Sequence, residues 1–169
     1  DLTTNQGTIN FSGTVSNGPY YDLVFSNWNS GEPNNSPPPE DAAELVNNYG
    51  KWNDSNSNNT QDSYVEYDGL VTSLGDLVFL GQYDGHSYFR NSEDLNWDNA
   101  KQAAENLGGY LASIHTPEEN SAILSFGFFR GWIGLFQDTS SPNYSEPSQG
   151  WKWVQPTNEE DVSFETMSV

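Results

Sequence analysis

The chain has 169 residues and a formal net charge of −19, because 24 Asp and Glu residues face only five Lys and Arg residues. A field of that sign repels nucleic acid and anionic membrane surfaces, which argues against both as partners. The absence of cysteine excludes disulfides, zinc thiolates and cysteine nucleophiles. Nine Tyr, nine Phe and six Trp supply enough bulky apolar side chains for one folded domain of this length.

The first part of the chain alternates short apolar patches with loop-like stretches. Residues 1–30 mix such patches with Asn, Gly, Ser and Thr, which predicts short strands at 8–11 and 20–25. Residues 30–63 contain three consecutive prolines and the Asn- and Ser-rich stretch 54–62, and they are predicted to form a long loop. A loop of that length in a compact domain normally needs a function or a bound ion to order it.

Strands are predicted again beyond this loop. Residues 63–67 are strand-like, and residues 69–85 are interpreted as a connector that contains a strand at 77–80. Further strands are predicted at 128–135 and 151–154. The polar tail ends in a candidate edge strand at its last eight residues.

Two helices are predicted between these strands. The first spans 96–107, where apolar residues recur at helical spacing and two glycines follow. Its apolar face consists of Trp97, Ala100, Ala103, Ala104 and Leu107. The second helix spans 116–125, with Thr116 as N-cap, Pro117 at the first helical position and Glu119 completing a capping box. Strands and helices in this arrangement predict the α+β class.

Oxygen donors are concentrated in the long loop. Five side chains supply three carboxylates and two amides: Glu32, Asn34, Glu40, Asn53 and Asp54. Calcium prefers six to eight oxygen ligands of these kinds. A cis bond at Pro33 is expected, because it would allow Glu32 and Asn34 to point at one ion. The sequence therefore predicts a calcium site on these five residues.

Two groups of motifs resemble the C-type lectin-like domain, but in the reverse of its usual order. The closing motifs come first: Trp28, Glu32-Pro33-Asn34, Glu40-Asp41 and Trp52-Asn53-Asp54. The opening motifs follow: His86-Ser-Tyr-Phe89, the two helices, and Trp132-Ile-Gly-Leu135. The resemblance implies a C-type lectin-like fold with two helices, small antiparallel sheets and a long calcium-binding loop region.

The reversed order has two interpretations. Either the domain is circularly permuted, or the chain spans parts of two tandem copies. We favour one permuted domain over 1–169, since the chain ends of this fold lie side by side and a short connector can join them. Its parts would be a closing half at 1–68, the connector 69–85, an opening half at 86–154, and a tail or edge strand at 155–169.

The resemblance also implies further site residues. A second cation site would use Asn35, Asp41, Asp138 and Glu146, with Asn35 replacing a frequent Asp. Ligand contacts are expected from the first-site residues Glu32, Asn34, Asn53 and Asp54. Tyr144, Trp151 and Trp153 could wall a ligand, although such aromatic residues more often belong to the core. Core positions are expected at Trp132, Ile133, Leu135, Leu111 and Ile114, and Ala42 and Ala104 stand where animal members usually carry cysteines.

The expected function is calcium-dependent binding, in a monomeric module of a longer, extracellular bacterial adhesin. A weaker resemblance, to the calcium-dependent peptide-binding modules of RTX-type adhesins, favours the C-terminal carboxylate of a peptide as ligand. A mannose- or fucose-type glycan bound through Glu32-Pro33-Asn34 is the alternative, and a calcium-stabilised spacer in a cell-adhesion or biofilm protein is a third interpretation. The sequence does not decide between them, nor does it fix the number of ions or the parent protein.

An enzymatic function is not expected. The two histidines, His86 and His115, lie in no nucleophile or metal spacing, and structural roles are predicted for both. Paired carboxylates are the groups that cleave glycosides, but calcium would lower the proton affinity of these carboxylates and make them poor general acids.

Overall fold

The computed structural model describes residues 25–46, 49–142 and 144–154, together with the backbone of 160–162. Three stretches named in the sequence analysis lie outside the described residues: the strand at 8–11, the strand at 20–25 apart from Phe25, and most of the tail 155–169. Nine strands and two helices occur in the described part: β1 (Ala42–Val46), β2 (Lys51–Ser55), β3 (Gln61–Asp68), β4 (Val78–Tyr83), β5 (His86–Leu95), α1 (Trp97–Asn106), β6 (Tyr110–Leu111), α2 (Pro117–Ser125), β7 (Gly131–Gln137), β8 (Trp151–Trp153) and β9 (Glu160–Val162).

The nine described strands form one mixed sheet with the order β2-β1-β7-β3-β5-β4. β6 pairs with β3, β8 pairs with β7, and β9 pairs with β8. The pair of β3 and β7 is parallel, whereas the other described pairs are antiparallel. The α+β class is as predicted. The strands make one sheet instead of several small ones, because β7 lies between β1 and β3 and joins them.

The long loop predicted at 30–63 is interrupted by two strands, β1 and β2. The apolar run Ala42-Ala43 and Leu45-Val46 pairs with β2 on one side and β7 on the other. Every residue of β1 except Val46 is buried. A five-residue strand bounded by polar loops is too short to show clear periodicity, and the pairing partner on β7 is distant in sequence.

Both helices begin as predicted. The Asn96 side chain caps α1 by accepting from the Asn99 N–H at 3.0 Å, and the Thr116 side chain caps α2 by accepting from the Glu119 N–H at 3.0 Å. The Glu119 carboxylate departs from a standard capping box, since it accepts from the His115 N–H at 2.8 Å and from the Tyr88 hydroxyl at 2.8 Å. Glu119 therefore ties the start of α2 to β5.

The hydrophobic core occupies both faces of the sheet. Along β7, Trp132 packs into one cluster with Trp97 and Leu111, whereas Ile133 and Leu135 pack into the larger cluster on the other side. The five core residues expected from the sequence are all fully buried: Leu111, Ile114, Trp132, Ile133 and Leu135. Trp97 and Trp132 also donate their indole N–H groups to backbone carbonyls, at 2.9 Å each. No described helix is long and apolar enough to cross a bilayer.

Candidate calcium site

Asp54, near the end of β2, holds the segment that carries the first predicted ligands. The side chain is buried, and its carboxylate accepts from the Asn34 N–H at 3.0 and 3.1 Å and from the Asn35 N–H at 2.7 Å. Upstream, the backbone at 27–29 runs beside β2, with Asn29 N–H bonded to the Trp52 carbonyl at 2.8 Å. The loop is therefore attached to β2 at two points.

The Glu32-Pro33-Asn34 turn places two oxygen-bearing side chains next to each other. The Glu32–Pro33 peptide bond is cis, as expected. The Asn34 side-chain amide donates to the Glu32 carboxylate, and both side chains lie at the solvent boundary. The amide oxygen of Asn34 remains available to a cation.

Three carboxylates converge at this point of the loop. Partial burial, together with the neighbouring carboxylates of Asp54 and Glu40, raises the pKa of Glu32 to about 7. Burial likewise raises the pKa of Glu40, with smaller contributions from Asp54 and Glu44 that oppose the effect of the Ser36 N–H. A raised pKa caused by like charges means that these groups repel each other when ionised. A cation between them would relieve that repulsion.

The Asn53 side chain has a partner that the sequence did not indicate. Its side-chain amide donates to the Glu44 carboxylate at 3.5 Å, and Glu44 faces Asn53 across the β1–β2 pair. Glu44 is buried and also accepts from Arg130 Nε at 3.1 Å. The sequence could have indicated a buried ion pair here, because Glu44 is the one charged residue inside the apolar run that forms β1.

The residues of the predicted second site do not all come together. Asp41 lies near Glu146, whose charge raises the pKa of Asp41 in addition to the larger effect of burial. Asp138 instead pairs with Lys152 Nζ at 2.9 Å and accepts from the Ser140 hydroxyl, so that its pKa falls to about 2. The Asn35 side-chain oxygen accepts from the Glu40 N–H at 3.0 Å. Of the four residues, only Asp41 and Glu146 form an acidic pair.

Two of the aromatic residues named as ligand contacts lie inside the protein. Trp151 and Trp153 are 0% and 1% exposed, and they pack against Trp28 and Trp52 with ring centroids 4.9 and 5.4 Å apart. Tyr144 is half-buried, and its hydroxyl donates to Glu146 at 2.6 Å. The two tryptophans therefore belong to the core beneath Trp28 and Trp52, and Tyr144 is the one of the three that is not buried.

The donor set fits calcium. The available ligands are hard oxygen atoms: the carboxylates of Glu32, Glu40 and Asp54, which repel one another when ionised, and the amide of Asn34. The described part of this loop brings no imidazole or thiolate to them. Asn53 and Glu44 complete the surroundings on the strand side.

Comparisons with known proteins agree with this fold. Residues 93–167 match the family model of the lectin C-type domain. Halomucin from Haloquadratum walsbyi is 34% identical over 77 residues, which cover 43% of this chain and 1% of halomucin. No solved structure gives a significant match. The fold is C-type lectin-like and α+β, and the family match covers both helices and β6 to β9 but not the loop at 29–40.

Proposed function

We propose that this chain is a calcium-dependent ligand-binding module of a long extracellular adhesin. The observation that carries the proposal is the closeness of the Glu32, Glu40 and Asp54 carboxylates: besides burial, which is the larger cause, the Asp54 charge raises the pKa of both Glu32 and Glu40. Bound calcium would supply a Lewis-acidic centre that accepts oxygen atoms from a ligand. The lectin C-type match supports a binding function, and the alignment to a small part of a far longer protein supports a module within a larger chain.

In this proposal the residues of the site have separate tasks. Glu32, Asn34, Glu40, Asn53 and Asp54 hold the ion through their side-chain oxygens. Asp54 also keeps the loop on β2 through the backbone N–H groups of Asn34 and Asn35. Asp41 and Glu146 are the remaining candidates for a second, weaker cation position.

We further propose that 1–169 is one circularly permuted domain. The support is the strand order, in which β7 of the later segment lies between β1 and β3 of the earlier one. Two unconnected halves of tandem domains would each lack the strands that complete this sheet.

The favoured ligand is the C-terminal carboxylate of a peptide, because an anionic oxygen pair is attracted more strongly to calcium than neutral hydroxyls are. A mannose- or fucose-type diol is the second candidate, and it is favoured by the family match. A calcium-stabilised spacer with no ligand is the third. The half-buried Tyr144 beside Glu146 is available to contact either ligand.

Calorimetry with calcium tests the site itself. The calcium-stripped chain should bind at least one calcium ion, and Glu32→Gln should weaken that binding by about tenfold or more, because one charged ligand becomes neutral. Glu93→Gln is the matched control, since it removes the same charge from an exposed position on β5. Equal calcium affinity in both variants would contradict the site.

Ligand class is then tested by adding three probes with calcium and again with EGTA: a short free-acid peptide library, its amidated form, and methyl mannoside. Calcium-dependent binding of the free acids alone supports peptide capture. Binding of methyl mannoside reverses the order of the candidates. If none of the probes binds while calcium does, the spacer interpretation is supported.

A further inference from the structure

A second group of metal-binding side chains lies where β3 ends and β5 begins. Glu66 and Asp68 are two residues apart on β3 and therefore point to the same face of the strand. His86 is the first residue of β5 and pairs directly with Asp68. His86 Nδ1 lies 2.8 Å from Glu66 Oε1 and 3.2 Å from Asp68 Oδ1, and the three atoms all lie within 4.8 Å of one another.

The two carboxylates are held in place by neighbours on β6 and just after it. The Tyr110 hydroxyl lies 3.0 Å from Glu66 Oε1 and 2.8 Å from Asp68 Oδ1. The Ser113 N–H donates to the other oxygen of Glu66 at 3.0 Å. These groups fix the direction of the carboxylates, as outer-shell partners do at known metal centres. Paired strands on both sides make the arrangement rigid.

Negative charge exceeds positive charge at this corner. Glu66 and Asp68 surround a single imidazole, and Glu119 contributes a third carboxylate whose charge also acts on His86. The same carboxylates help to raise the pKa of both Tyr88 and Tyr110 above its usual range, although burial is the larger cause. One imidazolium cannot balance three carboxylates, whereas a dication bound beside them would do so more fully.

The corner is open to an incoming ion. The Glu66 side chain is only 4% exposed, but His86 is 37% and Asp68 60% exposed. A cation can therefore approach from solvent past Asp68 and His86 and reach the buried Glu66 carboxylate.

We propose that Glu66, Asp68 and His86 form a binding site for a divalent transition-metal ion of the Zn²⁺ or Mn²⁺ kind. An imidazole nitrogen with two carboxylates is a ligand set for such ions, whereas calcium prefers oxygen ligands alone. Metal–ligand distances of about 2.0–2.2 Å place neighbouring donor atoms about 3.0–3.5 Å apart. The 2.8 and 3.2 Å separations around Nδ1 are close to that spacing without movement of the strands.

This site is distinct from the calcium loops. It lies on β3 and β5, whereas the calcium ligands lie on β2 and the loop before β1, and β1 and β7 separate β2 from β3 in the sheet. Its ion would cross-link the two strand ends that flank the connector 69–85. The sequence predicted a structural role for His86, and in this proposal His86 fills that role by binding the metal ion.

The test uses the full chain, stripped with chelator and then saturated with calcium so that the loop site is filled. Titration with Zn²⁺ and, separately, Mn²⁺ by calorimetry should show one saturable site. His86→Gln and Asp68→Asn should each weaken it by about tenfold or more, and Tyr110→Phe should weaken it less, since Tyr110 only positions the carboxylates. His115→Gln is the matched control, because His115 is an exposed histidine on another part of the chain.

A second readout separates a built site from diffuse binding to an acidic surface. In ¹⁵N-resolved NMR spectra of the imidazole rings, Zn²⁺ should shift the Nδ1 resonance of His86 and leave His115 unchanged. If His86→Gln folds poorly, Zn²⁺ binding by Asp68→Asn is compared with binding by His115→Gln instead. Asp68 is largely exposed, so its substitution should leave the fold intact. Binding that is equal in His86→Gln and His115→Gln, or no saturable binding at all, would overturn the proposal and leave a histidine–carboxylate ion pair.

Discussion

Asp54 shows how one side chain can both build a loop and leave room for an ion. Its two carboxylate oxygens accept three N–H contacts from Asn34 and Asn35. Oδ2 accepts two of these contacts and Oδ1 accepts one, so Oδ1 keeps a lone pair with which it can bind an ion. Loop order and ion binding are therefore coupled through a single residue, and loss of Asp54 should affect both.

Calcium affinity should depend on pH through Glu32. Burial and the Asp54 and Glu40 carboxylates raise the pKa of Glu32 to about 7 in the calcium-free protein. Calcium needs the ionised form, so below pH 7 each ion must displace a proton, whereas above pH 7 the site is already deprotonated. We expect the apparent Kd, measured by calorimetry, to rise by up to about tenfold per pH unit below pH 7 and to level off above it. An apparent Kd that stays constant between pH 5.5 and 8 would contradict a role for Glu32 ionisation in calcium binding. Glu32→Gln should remove most of the pH dependence along with most of the affinity.

Gly134 has no room for a side chain. It lies in β7 between the two core clusters, and a Cβ there would come within 2.4 Å of the Leu111 carbonyl oxygen. Because backbone atoms would have to move, Gly134→Ala should lower the free energy of unfolding by about 1–3 kcal/mol. Urea denaturation provides the measurement, and Ser92→Ala, at an exposed position of β5, is expected to change it little.

At the scale of residues, the motif Glu32-Pro33-Asn34 and the pair Asn53-Asp54 indicated the candidate loop site from the sequence, because their spacing is local. Glu44 was not identified as part of the site. Its place beside Asn53 follows from the register of β1 against β2, and its ion pair with Arg130 joins residues far apart in sequence. Neither fact can be read from the order of residues alone.

At the scale of elements, the helices were the most predictable part, since their caps and apolar faces are encoded within a dozen residues. β1 was the least predictable. Its apolar run is brief, and its burial depends on pairing with β7.

The cap of α2 offers a direct test at this scale. Thr116→Ala removes the acceptor of the Glu119 N–H and should cost about 1 kcal/mol in the free energy of unfolding. Thr116→Ser keeps the hydroxyl and should be close to neutral. Thermal denaturation of both variants distinguishes the cap from packing of the Thr methyl group, because a methyl effect would lower stability in both.

At the scale of the whole molecule, calcium is expected to stabilise the fold without being needed for its core. At about tenfold excess over its Kd, one ion would contribute about 1.4 kcal/mol by mass action. The clusters around β7 do not depend on the loop at 29–40, so removal of calcium should loosen that loop first.

Hydrogen exchange measures this separation. With EGTA, the amides of Asn34 and Asn35 should exchange much faster, while the amide of Gly134, bonded to the Ala112 carbonyl, should stay protected. If EGTA instead made the amides of β7 exchange equally faster, the ion would be stabilising the entire fold.

The position of β7 in the middle of the sheet affects how the chain acquires its structure during synthesis. β1 leaves the ribosome several seconds before its partner β7 has been translated, at ordinary elongation rates. During that interval β1 lacks one of its two neighbouring strands, and the buried face of β2 has little to pack on. A stable tertiary structure therefore cannot arise until most of the polypeptide has emerged, and the nascent chain must stay soluble meanwhile. Repulsion between chains that carry a net charge of −19 would keep unfinished chains apart during that interval.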